Sequence, residues 1–347
     1  MSATSYSEPV SARVGYARLG GALMFPGQGS QRIGMGRWME RTSPAAAAVF
    51  DVAAEVLGRD VRALCFTGPA RELTLTRNAQ VAVFTTNAAA AAVLAVEGFE
   101  ARLAMGHSVG ELNALVAAGV LPLADGLRLV AARGEIMGRI SAPGTMAAIV
   151  GLDQDVVREL CAAASGTAAD PSGMGGAVVP ALLNGPQNVV VSGDVAAVER
   201  CTELAVEAGS RAITKLVVSG AFHSPLMAAA VAEWSEVVAA ASLREPRIPV
   251  VLNTTGAVAT GVDDVRRALV DQLTGPVRWV EDVRTATALL GDGGLLMEAG
   301  DSKVLTTLAR GIEPDAATMT MHDPKTLRRL RGETPARQPR PQLGRVW

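Results

Sequence analysis

Residues 104–112 read AMGHSVGEL. The stretch ARLAMG at 101–106 reads as a buried strand, and ELNALVAAG at 111–119 as a helix packed on its Ala/Leu/Val face. Between them Gly106 and Gly110 flank Ser108 two residues to either side, the G-x-S-x-G spacing of a nucleophile elbow. A serine at such a strand-to-helix corner sits on strained backbone, and a side chain at either flank would clash in the turn. A plain glycine-rich loop has the same spacing, and this stretch alone does not separate the two readings.

Outward from that corner, strands and helices alternate along most of the chain, which predicts an α/β fold with a mainly parallel sheet. GALMF at 21–25 reads as the first strand and is followed by the turn PGQGSQ. Helices are expected over 44–58, 78–96, 111–119 and 124–140. After about Pro143 the rhythm changes to strand, helix, strand, strand, helix, strand over 145–217, a ferredoxin-like pattern. Helices over 226–240, 263–273 and 279–290, with strands IPVVLN (248–253) and GLLMEAG (294–300), then resume the first rhythm. The expected organisation is an extension over 1–20, a catalytic core over 21–144 and 218–320, a subdomain inserted at 145–217, and a basic, flexible tail over 324–347. SGTAADPSGMGG at 165–176 reads as a loop inside the insert.

Bulk properties narrow the function class. The 347 residues are 49% hydrophobic, only 3% aromatic, and carry a net charge of −2, enough chain for a large core. Charge is uneven: residues 324–347 hold seven basic side chains against Glu333, leaving the body near −8. That body lacks the basic, aromatic-studded face that nucleic-acid binding requires. Cys65, Cys161 and Cys201 are widely spaced, with no metal-like or redox pairing in the spacing, which suits a reducing, cytoplasmic setting. The first residues have no apolar signal core, and no apolar stretch reads as long enough to span a membrane.

An activated serine needs a base, a group to orient that base, and donors for an oxyanion. Of the three histidines, His107 is expected to point away from its neighbour Ser108, and His322 is expected to be solvated beside the basic tail. His223, in SGAFHSPLM where the chain returns from the insert, is the base by elimination. Arg133 lies on the apolar face of its helix: Leu129, Val130, Ile136 and Met137 are its neighbours one turn away. A buried guanidinium needs an acceptor, supplied either by an acid from another segment or by a substrate carboxylate held in a two-point fork. FPGQGSQ has neither the dinucleotide nor the P-loop spacing, and its backbone amides suit an oxyanion better than a phosphate.

Taken together, MFPGQGSQRIGMG, GHSVGE, LVAARGEIM, TMAAIVG, NGPQNVVVSG, GAFHSPLM, QLTGPVRW and EAGDSKVLTTL, in that order across residues 22–312, resemble the malonyl-CoA:acyl-carrier-protein transacylase family, including stand-alone polyketide acyltransferases. The resemblance implies an α/β-hydrolase-like core with a ferredoxin-like insert, and a ping-pong transfer of malonyl from malonyl-CoA to a carrier-protein thiol for fatty-acid or polyketide synthesis. It implies Ser108 as nucleophile, His223 as base, Gln28 and Val109 as oxyanion amides, Arg133 as carboxylate fork, and the Gln272 main-chain carbonyl as the group orienting His223. Phe222 resembles the bulky residue of malonyl-selective members. No metal or cofactor is implied, and the expected partners are malonyl-CoA and an acyl carrier protein, with the enzyme a monomer. Leu112 stands where the family often has tyrosine, and Asn113 is closer to the polyketide enzymes. Hydrolysis of carrier-bound chains, or transfer of another acyl group between carriers, uses the same serine and histidine and remains the alternative.

Overall fold

The computed structural model describes residues 19–140, 144–166 and 176–331. Ten strands alternate with helices: β1 (Gly20–Phe25), β2 (Glu100–Gly106), β3 (Gly144–Val150), β4 (Val178–Gly185), β5 (Asn188–Asp194), β6 (Ala212–Lys215), β7 (Val250–Leu252), β8 (Ala257–Val258), β9 (Leu295–Glu298) and β10 (Ala317–Thr320). They form two sheets, a six-stranded one ordered β10-β9-β1-β2-β7-β8 and a four-stranded one ordered β4-β5-β3-β6. In the larger sheet only the β7–β8 pair is antiparallel. In the smaller sheet every pair is antiparallel.

The parallel sheet is buried on both faces, as crossover helices require. Successive side chains of β1 alternate accordingly: Leu23 and Phe25 face one apolar cluster, Ala22 and Met24 the other. The first cluster is the larger and holds the helix Thr76–Val96, most of whose residues are buried. That helix has the length and hydropathy of a membrane span, contrary to the sequence expectation, yet 78% of its most apolar window is packed inside the protein. Its apolarity comes from helices and sheet surrounding it on nearly all sides.

Most predicted elements stand where the periodicity places them. The short helices Arg37–Thr42, Val61–Phe66 and Ala70–Thr74, the helix Val304–Ile312 and strands β8 and β10 were not foreseen, because runs this short complete too few periods to show. Two expectations need correction. The basic tail begins as a helix, Lys325–Leu330, with Thr326 and Leu327 buried and Arg331 forked onto Glu97; residues 332–347 lie outside the described residues, as do 1–18 and most of the 165–176 loop. The cysteines are also not all separate: Cys161 and Cys201, on the two helices backing the smaller sheet, bring their sulfurs within 3.8 Å.

The smaller sheet is joined to the larger body by β4. Leu183 donates to the carbonyl of Val277 at 2.9 Å, and Val277 donates back to Ala181 at 2.8 Å. The carboxyl ends of β1, β2 and β7 open toward this junction, the edge at which ligands bind in sheets of parallel strands.

Candidate active site

The corner after β2 is built as the glycines require. A Cβ on Gly106 would lie 2.1 Å from the Gly110 backbone, and one on Gly110 would lie 2.1 Å from the carbonyl of Phe25. Only glycine fits at either position, and the elbow reading prevails over the plain loop. Ser108 is left at φ 52° and His223 at φ 57°, the two non-glycine residues with positive φ among those described. Backbone strain of this kind persists where surrounding contacts enforce it, and it concentrates at functional sites.

Those two strained residues meet. Ser108 Oγ lies 2.7 Å from His223 Nε2. The other ring nitrogen, Nδ1, donates to the main-chain carbonyl of Gln272 at 2.8 Å, with that of Gly275 at 3.3 Å. An Nδ1–H committed to carbonyls leaves the Nε2 lone pair facing the serine hydroxyl, so the serine donates to it. Burial, then the nearby Arg133 charge, pushes the imidazole pKa down to about 3, partly offset by the Gln272 carbonyl. The ring is therefore neutral at physiological pH and free to accept a proton.

Arg133 is 2% exposed, and its guanidinium is met by amide oxygens. One terminal nitrogen donates to Gln80 Oε1 at 2.9 Å; the other donates to Gln272 Oε1 at 2.8 Å and lies 3.4 Å from Ser108 Oγ. Burial lowers its pKa to about 10, with Glu111 holding it up, so it keeps its charge. No carboxylate forms a direct ion pair with it among the described residues. The choice left open by the sequence is thus answered by neutral acceptors, with the acid one residue removed.

Around this set is a cavity of about 60 Å³, lined by Gln28, His107, Ser108, Arg133 and His223 and walled by Met146, Leu182, Leu216, Val218 and Phe222. Gln28 lies on the loop after β1, and Val109 opens the helix after the elbow. His107 is not turned away from the cavity, as the sequence suggested. Its Nε2 pairs with Asn184 of the smaller sheet at 2.8 Å, and its ring stands edge-on to Trp279 at 5.5 Å. His322 is not among the residues lining the cavity and is not simply solvated either; its Nδ1 is 2.9 Å from the buried carboxylate of Asp301, which also binds Arg32 and the amide of Gly36.

Beneath the site lies a polar layer that the sequence did not reveal. Asn253, at the end of β7, accepts the Ser108 N–H at 2.8 Å and donates to the Gly106 carbonyl at 2.6 Å. Its Nδ2 also reaches Asp282, whose carboxyl is held well above the usual range by burial and by Glu111 and Glu281 nearby. Gln80 and Asn253 carry no distinctive spacing, and only their convergence from distant segments identifies them; for Gln272 the sequence implied the main-chain carbonyl but not the side-chain amide that meets Arg133.

The chain is also similar to known proteins over most of its length. The acyl transferase domain family matches residues 23–291. The malonyl CoA-acyl carrier protein transacylase of Bacillus subtilis (strain 168) is 38% identical over 309 residues, spanning 88% of this chain and 94% of that protein. The crystal structure of malonyl-CoA:acyl carrier protein transacylase from Xanthomonas oryzae pv. oryzae superposes with a TM-score of 0.82 at 38% identity, covering 90% of this chain and 96% of that one. A malonyl-transacylase solved in complex with its type II PKS acyl-carrier protein gives a TM-score of 0.84 at 34% identity, covering 90% and 99%. With its elbow, its paired histidine and its buried arginine, this chain belongs to the acyl transferase domain family.

Proposed function

We propose that this chain is a malonyl-CoA:acyl-carrier-protein transacylase. The observation that carries the reading is the contact of Ser108 Oγ with a neutral His223, beside a buried arginine met by two neutral amides and, among the described residues, by no carboxylate. Ser108 Oγ attacks the thioester carbonyl while its proton passes to His223 Nε2. The tetrahedral oxyanion is held by the backbone amides of Gln28 and Val109. Its collapse expels the CoA thiolate, which takes the proton from His223 and leaves malonyl-Ser108. The phosphopantetheine thiol of the carrier protein then gives its proton to His223, attacks the ester, and releases Ser108 with the proton restored. Arg133 forks onto the free carboxylate of malonyl in both halves. That carboxylate offsets the arginine charge that depresses His223, making the ring a better base once substrate is in place.

The chemistry calls on neither metal nor resident cofactor, and we read the enzyme as a monomer. Phe222 at the cavity wall crowds a 2-methyl branch and favours malonyl over methylmalonyl. We read the larger sheet, over 21–144 and 218–320, as an α/β-hydrolase-like core, and the strand order β4-β5-β3-β6, over 145–217, as a ferredoxin-like insert. Three unbonded cysteines support a reducing, cytoplasmic setting. Brief exposure to malonyl-CoA followed by intact-protein mass spectrometry tests the reading. A malonyl adduct absent from Ser108→Ala is expected; no adduct from any CoA thioester overturns it in favour of hydrolysis or carrier-to-carrier transfer.

A further inference from the structure

Glu111 is fully buried in the first turn of the helix that follows the elbow, and the mechanism above does not use it. Its two carboxylate oxygens are divided between two segments. Oε1 accepts the backbone N–H of Asn253 at 2.8 Å, and Oε2 accepts from Gln272 Nε2 at 2.5 Å. That same Gln272 nitrogen is also 3.2 Å from Asn253 Oδ1 and 3.3 Å from the Ser108 carbonyl. A nitrogen surrounded by three oxygens fixes which way the amide faces. The opposite end, Gln272 Oε1, is thereby turned onto Arg133, while the main chain of Gln272 holds His223.

We infer that Glu111 is a positioning residue for carboxylate recognition, acting through the Gln272 amide to aim Arg133 and balance its charge. The inference rests on the transacylase reading and deepens it. Placing the acid behind an amide has a definite consequence. A carboxylate in direct contact would occupy the guanidinium fork and compete with the substrate. One amide away, it contributes its negative charge and its orientation while leaving the fork to the incoming carboxylate. It also explains how a charged arginine survives burial with only neutral groups touching it. Replacing Glu111 by glutamine keeps the shape but adds an N–H donor where both neighbours already donate. The Gln272 amide then turns to offer its oxygen to the new donor, presenting its own NH2 to Arg133.

The experiment compares loading of Ser108 from malonyl-CoA and from acetyl-CoA by rapid-quench intact-protein mass spectrometry. The proteins are wild type, Glu111→Gln, Gln272→Leu, Arg133→Ala and the Glu111→Gln/Arg133→Ala pair. Wild type should load malonyl well ahead of acetyl. Glu111→Gln should lower the malonyl-to-acetyl ratio of kcat/KM at least tenfold, carried mainly by a rise in the malonyl KM. Gln272→Leu breaks the relay at its other end, keeps the carbonyl that holds His223, and should shift the ratio in the same direction. In the Arg133→Ala background Glu111→Gln should change the ratio no further, because coupled residues do not add. Equal losses for both thioesters, or an unchanged ratio in folded variants, overturn the positioning role. A wild-type chain that takes up neither acyl group removes the transacylase reading itself, and the inference with it.

Discussion

The two sheets contribute opposite things to one cavity. The carboxyl edge of the parallel sheet supplies the polar chemistry: Ser108 after β2, Gln28 after β1 and Asn253 after β7, joined by Arg133 and Gln272 from flanking helices. The antiparallel sheet and its exit segment supply apolar wall, Met146, Leu182, Leu216 and Val218, with two polar exceptions: Asn184 on His107, and His223, which the exit segment delivers to Ser108. Charged and strained groups need enforced geometry, which a sheet packed on both faces provides. Shape discrimination needs only contact, so a smaller, separately cored layer can perform it. The division teaches that losses of chemistry and of carboxylate recognition should map to the parallel sheet, and losses of shape discrimination to the antiparallel one.

The sharpest way to break that comparison is at the elbow. Ser108→Ala and His223→Ala should each lower acyl transfer by at least ~10³-fold, measured as adduct formation and as product on the carrier protein. Residual transfer near the wild-type rate in either variant would move the chemistry elsewhere. Next in size, Arg133→Ala removes a buried charged partner worth ~3–4 kcal/mol, so malonyl loading should fall about 10²–10³-fold while acetyl loading falls far less.

Titration sharpens the contrast on the side of the parallel sheet. His223 has a folded pKa of about 3 against about 6.5 when unfolded. Between those values the unfolded chain binds the extra proton, so stability contributed by the neutral ring is complete above about pH 6.5 and is lost as pH falls toward 3. Glu111 runs the other way. Burial raises its carboxyl to about 7, so the folded chain holds the extra proton and stability falls as pH rises from about 4.5 to 7. The melting temperature of His223→Gln should therefore decline less steeply below pH 6.5 than that of wild type. Parallel curves would show that the ring is not held neutral.

Smaller effects belong to the other sheet. Val218→Ala or Phe222→Ala should raise the methylmalonyl-to-malonyl loading ratio by up to ~10–100-fold, the ~1–3 kcal/mol that a methyl group commands in an apolar pocket. A ratio that stays put would place selectivity outside this wall. Smallest of all, removing residues 332–347 should raise the apparent KM for an acidic carrier protein a few-fold at low salt and less at high salt, since exposed charges are weak and screened. The cut is placed after Arg331 because the helix Lys325–Leu330 is packed onto the body.

Much of this was legible from residues alone, for a physical reason in each case. Gly106 and Gly110 announce themselves because no other side chain fits a corner that tight. Arg133 stands out because a cation on an otherwise apolar helical face breaks the periodicity that burial imposes. His223 emerged because the chain has only three histidines. Misjudgements arose where local pattern was a poor guide to surroundings. His107 reaches the cavity because the second sheet brings Asn184 to its ring. Residues 325–330 were read from charge as a loose tail, yet Thr326 and Leu327 give that segment a buried anchor.

The sequence by itself determined most of the elements and the elbow, and singled out Ser108 and His223, because steric necessity and periodicity act over a few residues. Only the tertiary structure decided what surrounds them. Gln80, Glu111, Asn253 and Gln272 are ordinary polar residues in their own segments. They become a network because parallel crossovers carry their strand ends and helices to one edge, across separations as large as 161 residues between Glu111 and Gln272. A hydrogen bond depends on distance in space, and separation along the chain leaves no local trace of it.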